Sequence, residues 1–551
     1  MRASQRQHGA ENVSVGFIVG VLTWKRDSAG DPRDAGILRK FRVALSDKLE
    51  ANRGVPTFSS CVGDITNRTI TALAPSLHAT QTTIDVGGAY YHGTPDSVAE
   101  GGRIVYAHIP PWLVLCGAQY AARDARGRRR MLLIKGNMPG RSDAGRIWQR
   151  CFDLFLRGYG LRQLLSDRRV WVQSSERGDI IVHDHVDDSR LTTTTDAARS
   201  HFHAAWARAF NESPEEKPTT EDFTGLRHRV ISPLVTEISC IGVTRRLETL
   251  LADFPLVGTE VCEYPIPGDA LRRLRDPASD TNPLVPDLLE PAQRILGTAG
   301  FIVNAVRADA YFGCCVLSRY ASVLRLTRYV WRLIVRLGHY LVKTGSMHLH
   351  VSAPRRLPST PSGGPSRHDF TLDLFQAEVD SSHGNAEDGA SYGGFLLLGA
   401  CPCRQPGYTP GVGGAGGGAL AWKSAAPREG DDSSGAAELR MSTICYKYIL
   451  AMRLLQKDLQ LGVAPAHPTP LYTDAQVVMD GTGCERLVKT SRWMATRYAM
   501  IRWGLSCGTI DLRKIRAEDN SADIVTKCLI GIRFARLRAR VLGLHPPGGV
   551  L

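Results

Sequence analysis

The stretch DIIVHDHVDDSRL, Asp179 to Leu191, runs from an apolar lead-in of Ile180, Ile181 and Val182 into a patch of acid: Asp184, Asp187 and Asp188. Adjacent carboxylates repel each other, and on a strand they take positions that an apolar side chain could bury. Divalent cations offset that repulsion, since Mg²⁺ prefers hard oxygen ligands. Two such ions, about 3.5–4 Å apart, can activate an attacking hydroxyl and stabilise a leaving oxygen in phosphoryl transfer. A further carboxylate must converge on the pair. Asp85, in TTIDVGGAYYHG, is the candidate: it follows a β-branched run and precedes glycines and aromatics. A solvated turn would present the same Asp-Asp pair without any chemistry.

A second set lies downstream. Asp380 ends a strand-like run in AEVDSSHG. Glu438 falls in the first turn expected of a long helix. Asp474 closes a short strand in PLYTDAQ, and Asp523 opens a short helix in NSADIVTK. Four carboxylates on four elements suit two-metal hydrolysis of a phosphodiester, because one side chain cannot both bridge two ions and orient a water. Taken singly, each reads as a solvated surface acid.

The elements that must position these acids are legible in part. The 551 residues suggest three or four domains, at about 150 residues each. Val13 to Trp24, VSVGFIVGVLTW, falls short of the ~20 residues of a membrane span and predicts a strand. Short strands and helices are mixed up to about Ser232. Thr298 to Thr344 predicts two or more helices, with arginines beside an apolar face. Ala353 to His368, APRRLPSTPSGGPSRH, reads as a linker, which implies separate folding units with few shared contacts. A strand–strand–strand–helix–strand pattern follows, and the Gly-rich Cys403 to Ala419 serves as a hairpin connection within it. Its helix repeats Met441, Cys445, Tyr448, Met452, Leu455 and Leu459 at spacings of four and three, and Ser433 or Ser434 can cap it.

Lys and Arg number 68 against 54 Asp and Glu, a net charge of +14, which suits a polyanionic partner and equally a basic enzyme. Thirteen cysteines without a repeated spacing, and no secretory signal, predict free thiols in a reducing compartment.

Several stretches resemble one family. IDVGGAYYHG, followed about a hundred residues later by HVDD, looks like the palm motifs of a reverse transcriptase. Pro139 to Val172 is similar to the segment that precedes Tyr-Val-Asp-Asp in copia-type (pseudovirus) retrotransposon Pol polyproteins, and Leu38 to Glu50 resembles the basic fingers strand. WKS…SSGAAEL, YTD and ADIVTK are similar to the ribonuclease H domain of the same elements. His185 stands where the family has Tyr, Gly140 to Asp143 where it has Gly-Leu-Lys-Gln, and Ala436 where a second Glu is common. Zinc-knuckle, Asp-Ser/Thr-Gly protease and His-His-Cys-Cys integrase motifs are absent, so the chain is expected to be the C-terminal polymerase portion of such a polyprotein.

The resemblance implies a multidomain α/β (α+β) protein. Reverse transcriptase fingers and palm would span 14–232, a helical thumb and connection 233–352, a linker 353–368, and a ribonuclease H-like mixed-sheet domain 369–545. It implies two Mg²⁺ or Mn²⁺ ions per site. Asp85, Asp187 and Asp188 would hold one pair, and Asp380, Glu438, Asp474 and Asp523 the other. Tyr90 would stack under the sugar and exclude a 2′-hydroxyl, and Lys40 and Arg42 would reach the incoming triphosphate. The partners would be RNA and DNA template-primer, RNA–DNA hybrid and deoxynucleoside triphosphates, with no membrane, in the cytoplasm or nucleus; no oligomeric state is implied. The rival expectations are a decayed or domesticated copy that binds nucleic acid without synthesis, and a basic adaptor in which these acids do not converge.

Overall fold

The computed structural model describes residues 7, 13–25, 38–46, 58–86, 88–100, 102–115, 123–186, 188–211, 214–217, 223–232, 234–256, 262–275, 283–352, 374–383, 391–399, 417–426, 433–461, 464–465, 467–484 and 494–544. The linker 353–368, most of the Gly-rich stretch and Asp187 lie outside them. The architecture is mixed α/β, with four sheets among the described residues.

The first sheet has the order β2-β1-β4-β5, from β1 (Val13–Lys25), β2 (Leu38–Ser46), β4 (Ile104–His108) and β5 (Met131–Ile134). Period-two burial explains β1: Ile18 is buried with Leu45, Val105 and Ala107, while Phe17 and Val19 on either side of it are exposed.

The second sheet is antiparallel throughout. Its order is β10 (Glu215–Lys217), β3 (Thr80–Asp85), β9 (Asp188–Thr193), β8 (Gly178–His185), β7 (Val170–Ser175) and β6 (Arg162–Gln163). Ile84, Val182, Leu191 and Trp171 cluster with the aromatic stripes of two helices. One is α2 (Ala144–Tyr159), whose Trp148, Phe152 and Leu156 recur every four residues and which stops at Gly160 in the left-handed region (φ 98°). The other is α3 (Asp196–Phe210), capped by Thr195, which accepts from the Ala198 N–H.

Helix α1 (Asp64–Ser76) reaches β8 and β9 through Asn67 and Thr71. Its polar residues are buried and matched. His183 Nε2 lies 3.2 Å from Asn67 Oδ1, and Arg190 donates to Thr71 Oγ1 at 3.2 Å. Arg190 is 2 % exposed and forms no salt bridge among the described residues; burial alone pushes its pKa down to about 9. Burial, then Arg190, pushes His183 down to about 3 and His228 well below its usual value.

Both histidines are therefore neutral when folded, and the unfolded chain takes up protons below about pH 6.5. Stability is present above that pH and is lost as pH falls from about 6.5 towards 3. His183 should cost about 2 kcal/mol between pH 7 and pH 5, and His228 adds to the loss in the same direction. Urea midpoints at the two pH values check this, and His183→Leu should remove its share of the slope.

The third sheet joins β11 (Arg227–Ser232), β12 (Val235–Ser239) and β13 (Leu349–Ser352), so the boundary expected at 233 falls inside a hairpin. Between β12 and β13 lie α4 (Ile241–Leu251), α5 (Leu289–Ala305), α6 (Ala308–Ser318) and α7 (Arg328–Lys343). The fourth sheet has the order β16 (Ala419–Ala425), β15 (Tyr392–Gly399), β14 (Phe375–Ser382), β17 (Thr469–Thr473) and β18 (Ile510–Lys514). β14, β15 and β16 are antiparallel; β17 and β18 continue parallel to β14. Helix α8 (Ser434–Leu459) packs on β14 and β15. Met441, Cys445, Met452, Leu455 and Leu459 of its expected stripe are buried and Tyr448 is half-buried.

The expectation of few shared contacts between the halves is corrected. One apolar cluster runs from Ile70 and Leu73 of α1 through Leu296, Ile302 and Leu333 to Leu396, Ile449 and Met452. Arg68 pins the junction. It donates to Leu420 O (2.8 Å), Asn304 O (3.1 Å) and Ala305 O (3.0 Å), and stacks 4.3 Å over the Trp422 ring. The last two acceptors close α5, where unpaired carbonyls favour a cation. Asp458 near the end of α8 accepts from the Leu165 and Ser166 N–H groups and pairs with Arg162. Linker composition describes how the chain is tethered, not which faces bury each other. Arg68→Ala strands the buried Leu420 and Ala305 carbonyls beside a cavity and should cost about 3 kcal/mol. Hydrogen exchange should then accelerate in α1 and in α8 together; acceleration in one alone would mean the halves unfold independently.

Candidate functional site

The distal acids are brought together by the fourth sheet. β14 is buried from Ala377 onward, and Asp380 sits two residues from its end, 1 % exposed. Its cross-strand partner on β15 is Gly394. A Cβ there would lie 2.7 Å from Val525 and 2.8 Å from the Lys423 carbonyl, so the bare glycine lets the turn Ser521–Val525 close against the sheet. That turn brings the Thr526 hydroxyl onto Asp380 Oδ2.

Helix α8 starts where Ser433 Oγ accepts from the Ala436 N–H at 3.2 Å. Glu438 is therefore in the second turn, not the first. Its Oε1 accepts from the Ser381 N–H at 3.0 Å, one residue beyond Asp380. Its Oε2 is buried and has no hydrogen-bond partner among the described residues. Asp474 immediately follows β17, the parallel neighbour of β14. One ligand oxygen from each of Asp380, Glu438 and Asp474 lies within 4.8 Å of the others.

The electrostatics follow from crowding. Burial, then Asp380 and Asp474, pushes Glu438 up to about 9. Burial, then Asp380, raises Asp474 as well. Three carboxylates in this space repel one another when charged, and a cation among them relieves that repulsion. Hard oxygen donors, a partnerless buried Oε2 and raised proton affinities together fit a divalent ion such as Mg²⁺ or Mn²⁺.

Asp523, the fourth acid, is not in this triad. It is fully buried in the turn Ser521–Val525 and forms ion pairs with Lys527 and Arg533. Burial, then Asp380, pushes it up to about 6. Lys527 also lies 3.2 Å from Asp380 Oδ1. Two residues back along β14, the buried Glu378 pairs with Arg540 of α11 (Gly531–Val541) and accepts from the Ser521 N–H at 2.7 Å. Sequence reasoning passed over Lys527, Arg533 and Arg540. The i, i+4 spacing of Asp523 and Lys527 was a readable signal; the arginines had none, because their partners lie on other elements.

The proximal acids sit on the second sheet. Asp85 and Asp188 are directly opposed on β3 and β9, and Asp188 also faces His185 on β8. Opposed residues of an antiparallel pair project from the same face. The β8–β9 turn holds Val186 at φ 62°, a costly conformation for a β-branched residue, and Trp148 Nε1 donates to its carbonyl at 2.8 Å. Asp187, the other tip residue, lies outside the described residues.

Asp184 belongs to neither set. It is 1 % exposed, paired with the buried Arg169, which also holds Asp153 at 2.8 Å. Burial pushes its pKa up to about 7 against the lowering effect of Arg169. Asp143, where Gln was expected, pairs with Arg141 at 2.9 Å, both buried. Tyr90 is half-buried in the turn Ala89–Tyr91, packed on the aromatic core. Lys40 and Arg42 fall in β2, opposite Thr23 and Val21; their side chains lie outside the described residues.

No family model matches the chain, and no curated protein matches it. The function must therefore be argued from the two acidic centres themselves. Among the described residues no helix is long and apolar enough to cross a membrane.

Proposed function

We propose that the chain is a copia-type reverse transcriptase with a C-terminal ribonuclease H-like domain. Its substrates would be RNA and DNA template-primer, deoxynucleoside triphosphates and RNA–DNA hybrid. The observation that carries this reading is the meeting of Asp380, Glu438 and Asp474 from three separate elements around one mixed sheet, with a ligand oxygen left free on Glu438. The opposed Asp85 and Asp188 support the polymerase half.

Bound Mg²⁺ or Mn²⁺ would supply Lewis-acid activation of the phosphoryl group and of the attacking hydroxyl or water. The chain's own residues would orient the rest. Asp85 and Asp188 offer carboxylates on one face, and Trp148 fixes the turn that carries Val186. Tyr90 would floor the sugar site, and Lys40 and Arg42 would meet the triphosphate. In the distal centre the Ser381 N–H aims Glu438, which burial and its neighbouring acids favour in the protonated form and which would hold the ion with Asp380 and Asp474. The excess of 14 positive charges suits a surface that grips a duplex by its phosphates.

The second reading is a nucleic-acid-binding protein that no longer synthesises DNA. The buried His183 and Arg190 favour it, because on β8 and β9 they place a ring nitrogen without a partner and a cation without a salt bridge, among the described residues, beside the proximal acids. Primer extension and hybrid cleavage by the purified chain with Mg²⁺ decide between the two. Duplex binding without extension selects the second reading, and absence of both activities and of duplex binding refutes both.

A further inference from the structure

The distal centre contains a cation of its own. Lys527 Nζ lies 3.2 Å from Asp380 Oδ1 and donates to Asp523 Oδ1, so one ammonium sits between the two carboxylates. The chain builds this position. The Lys527 N–H bonds to the Asp523 carbonyl at 2.9 Å, which sets the two side chains on one side of the turn. Arg533 holds the other Asp523 oxygen, and the Thr526 hydroxyl holds the other Asp380 oxygen. Both Oδ1 atoms are thereby left to Nζ. Glu438 and Asp474 complete a triad with Asp380 in which the atom without a partner among the described residues, Glu438 Oε2, belongs to a residue only 8 % exposed.

We propose that the distal centre takes one divalent ion, on Asp380, Glu438 and Asp474, and that Lys527 occupies the place of a second. This rests on reading the triad as a metal centre. Four acids would then face three positive groups: one exchangeable ion, and Lys527 and Arg533 of the chain itself. Asp523 becomes a positioning residue that holds the ammonium against Asp380 and does not bind the ion itself. A side chain 36 % exposed has water beside it, yet Arg533 and the Thr526 hydroxyl fix the two carboxylates it bridges.

The test counts Mn²⁺ ions on the full chain by calorimetry and electron paramagnetic resonance. Asp85→Asn and Asp188→Asn are included so that the proximal acids contribute no ion. The expected count is one, with the signal of an isolated Mn²⁺. Lys527→Met should raise it to two and add the line broadening of a coupled pair, while Lys527→Arg, which keeps the charge, should stay at one. Two ions with Lys527 intact, or one ion in Lys527→Met, would overturn the proposal. If Lys527→Met does not fold, the counts in the unsubstituted and Lys527→Arg forms still decide, because two ions in either is the overturning result. No Mn²⁺ binding at all, with the same null result in Glu438→Gln, would instead sink the reading of the triad as a metal centre.

Discussion

Asp188→Asn should lower Mg²⁺-dependent primer extension by roughly 10²–10³-fold or more, the loss typical of removing a preorganised charge from a reacting centre. The substitution keeps shape and size. Asp188 is tied into the sheet through backbone pairing with both Asp85 on β3 and His185 on β8, so register does not depend on its charge. The fold should survive, with a urea midpoint close to that of the parent chain. Duplex binding should change little, because phosphate contacts come from Lys and Arg elsewhere. Hybrid cleavage, proposed for the acids of the fourth sheet, should also persist. Undiminished extension in Asp188→Asn would remove the carboxylate from the reaction. Loss of extension together with duplex binding and the urea midpoint would make Asp188 a structural residue only.

Glu438→Gln should abolish hybrid cleavage by a similar factor while primer extension stays within a few-fold of the parent. Its second signature needs no activity. Burial and the neighbouring acids push Glu438 up to about 9 when folded, against an unfolded value near 4.5. The folded chain therefore keeps a proton that the unfolded chain releases. Stability from this group is fully present below about pH 4.5 and is lost as pH rises through about 9, at about 1.4 kcal/mol per pH unit in that window. Glutamine cannot ionise and shows no such slope. Without metal, Glu438→Gln should thus match the parent near pH 4.5 and exceed it at pH 8. Adding Mg²⁺ or Mn²⁺ at a hundredfold excess over Kd should stabilise the parent by about 2.7 kcal/mol and the variant far less. Thermal scans across pH, with and without the ion, read both effects. Equal metal responses in parent and variant would exclude Glu438 as a ligand.

The contrast between these two tests depends on the halves acting separately in chemistry although they share a core. Arg68, Asp458 and the continuous apolar cluster join them mechanically. The two acidic centres nevertheless lie on different sheets, β3–β9–β8 and β14–β17 with α8. A substitution that keeps shape at one centre should leave the other intact, whereas Arg68→Ala, which changes packing at the junction, should weaken both.

Much of the local structure was legible from neighbours along the chain. The short apolar run Val13 to Trp24 marked β1, and the apolar spacing from Met441 to Leu459 with Ser433 ahead of it marked α8. Three distal acids could be named from their place beside strands and a helix start. These features rest on short-range periodicity and capping, which the sequence carries directly. Tertiary structure decided which acids meet. Asp380 and Asp474 are 94 positions apart and approach only because β14 and β17 pair in parallel, while Asp523 is drawn to Lys527 and Arg533. It decided that Glu438 begins the second turn of α8, that Trp148 steadies the Val186 turn, and that the halves share one core. It also decided which polar groups are buried, so that His183 and Arg190, ordinary in sequence, become costly under α1. Strand register and desolvation are long-range properties: they depend on which surfaces close over a residue, and a residue's sequence neighbours do not specify that.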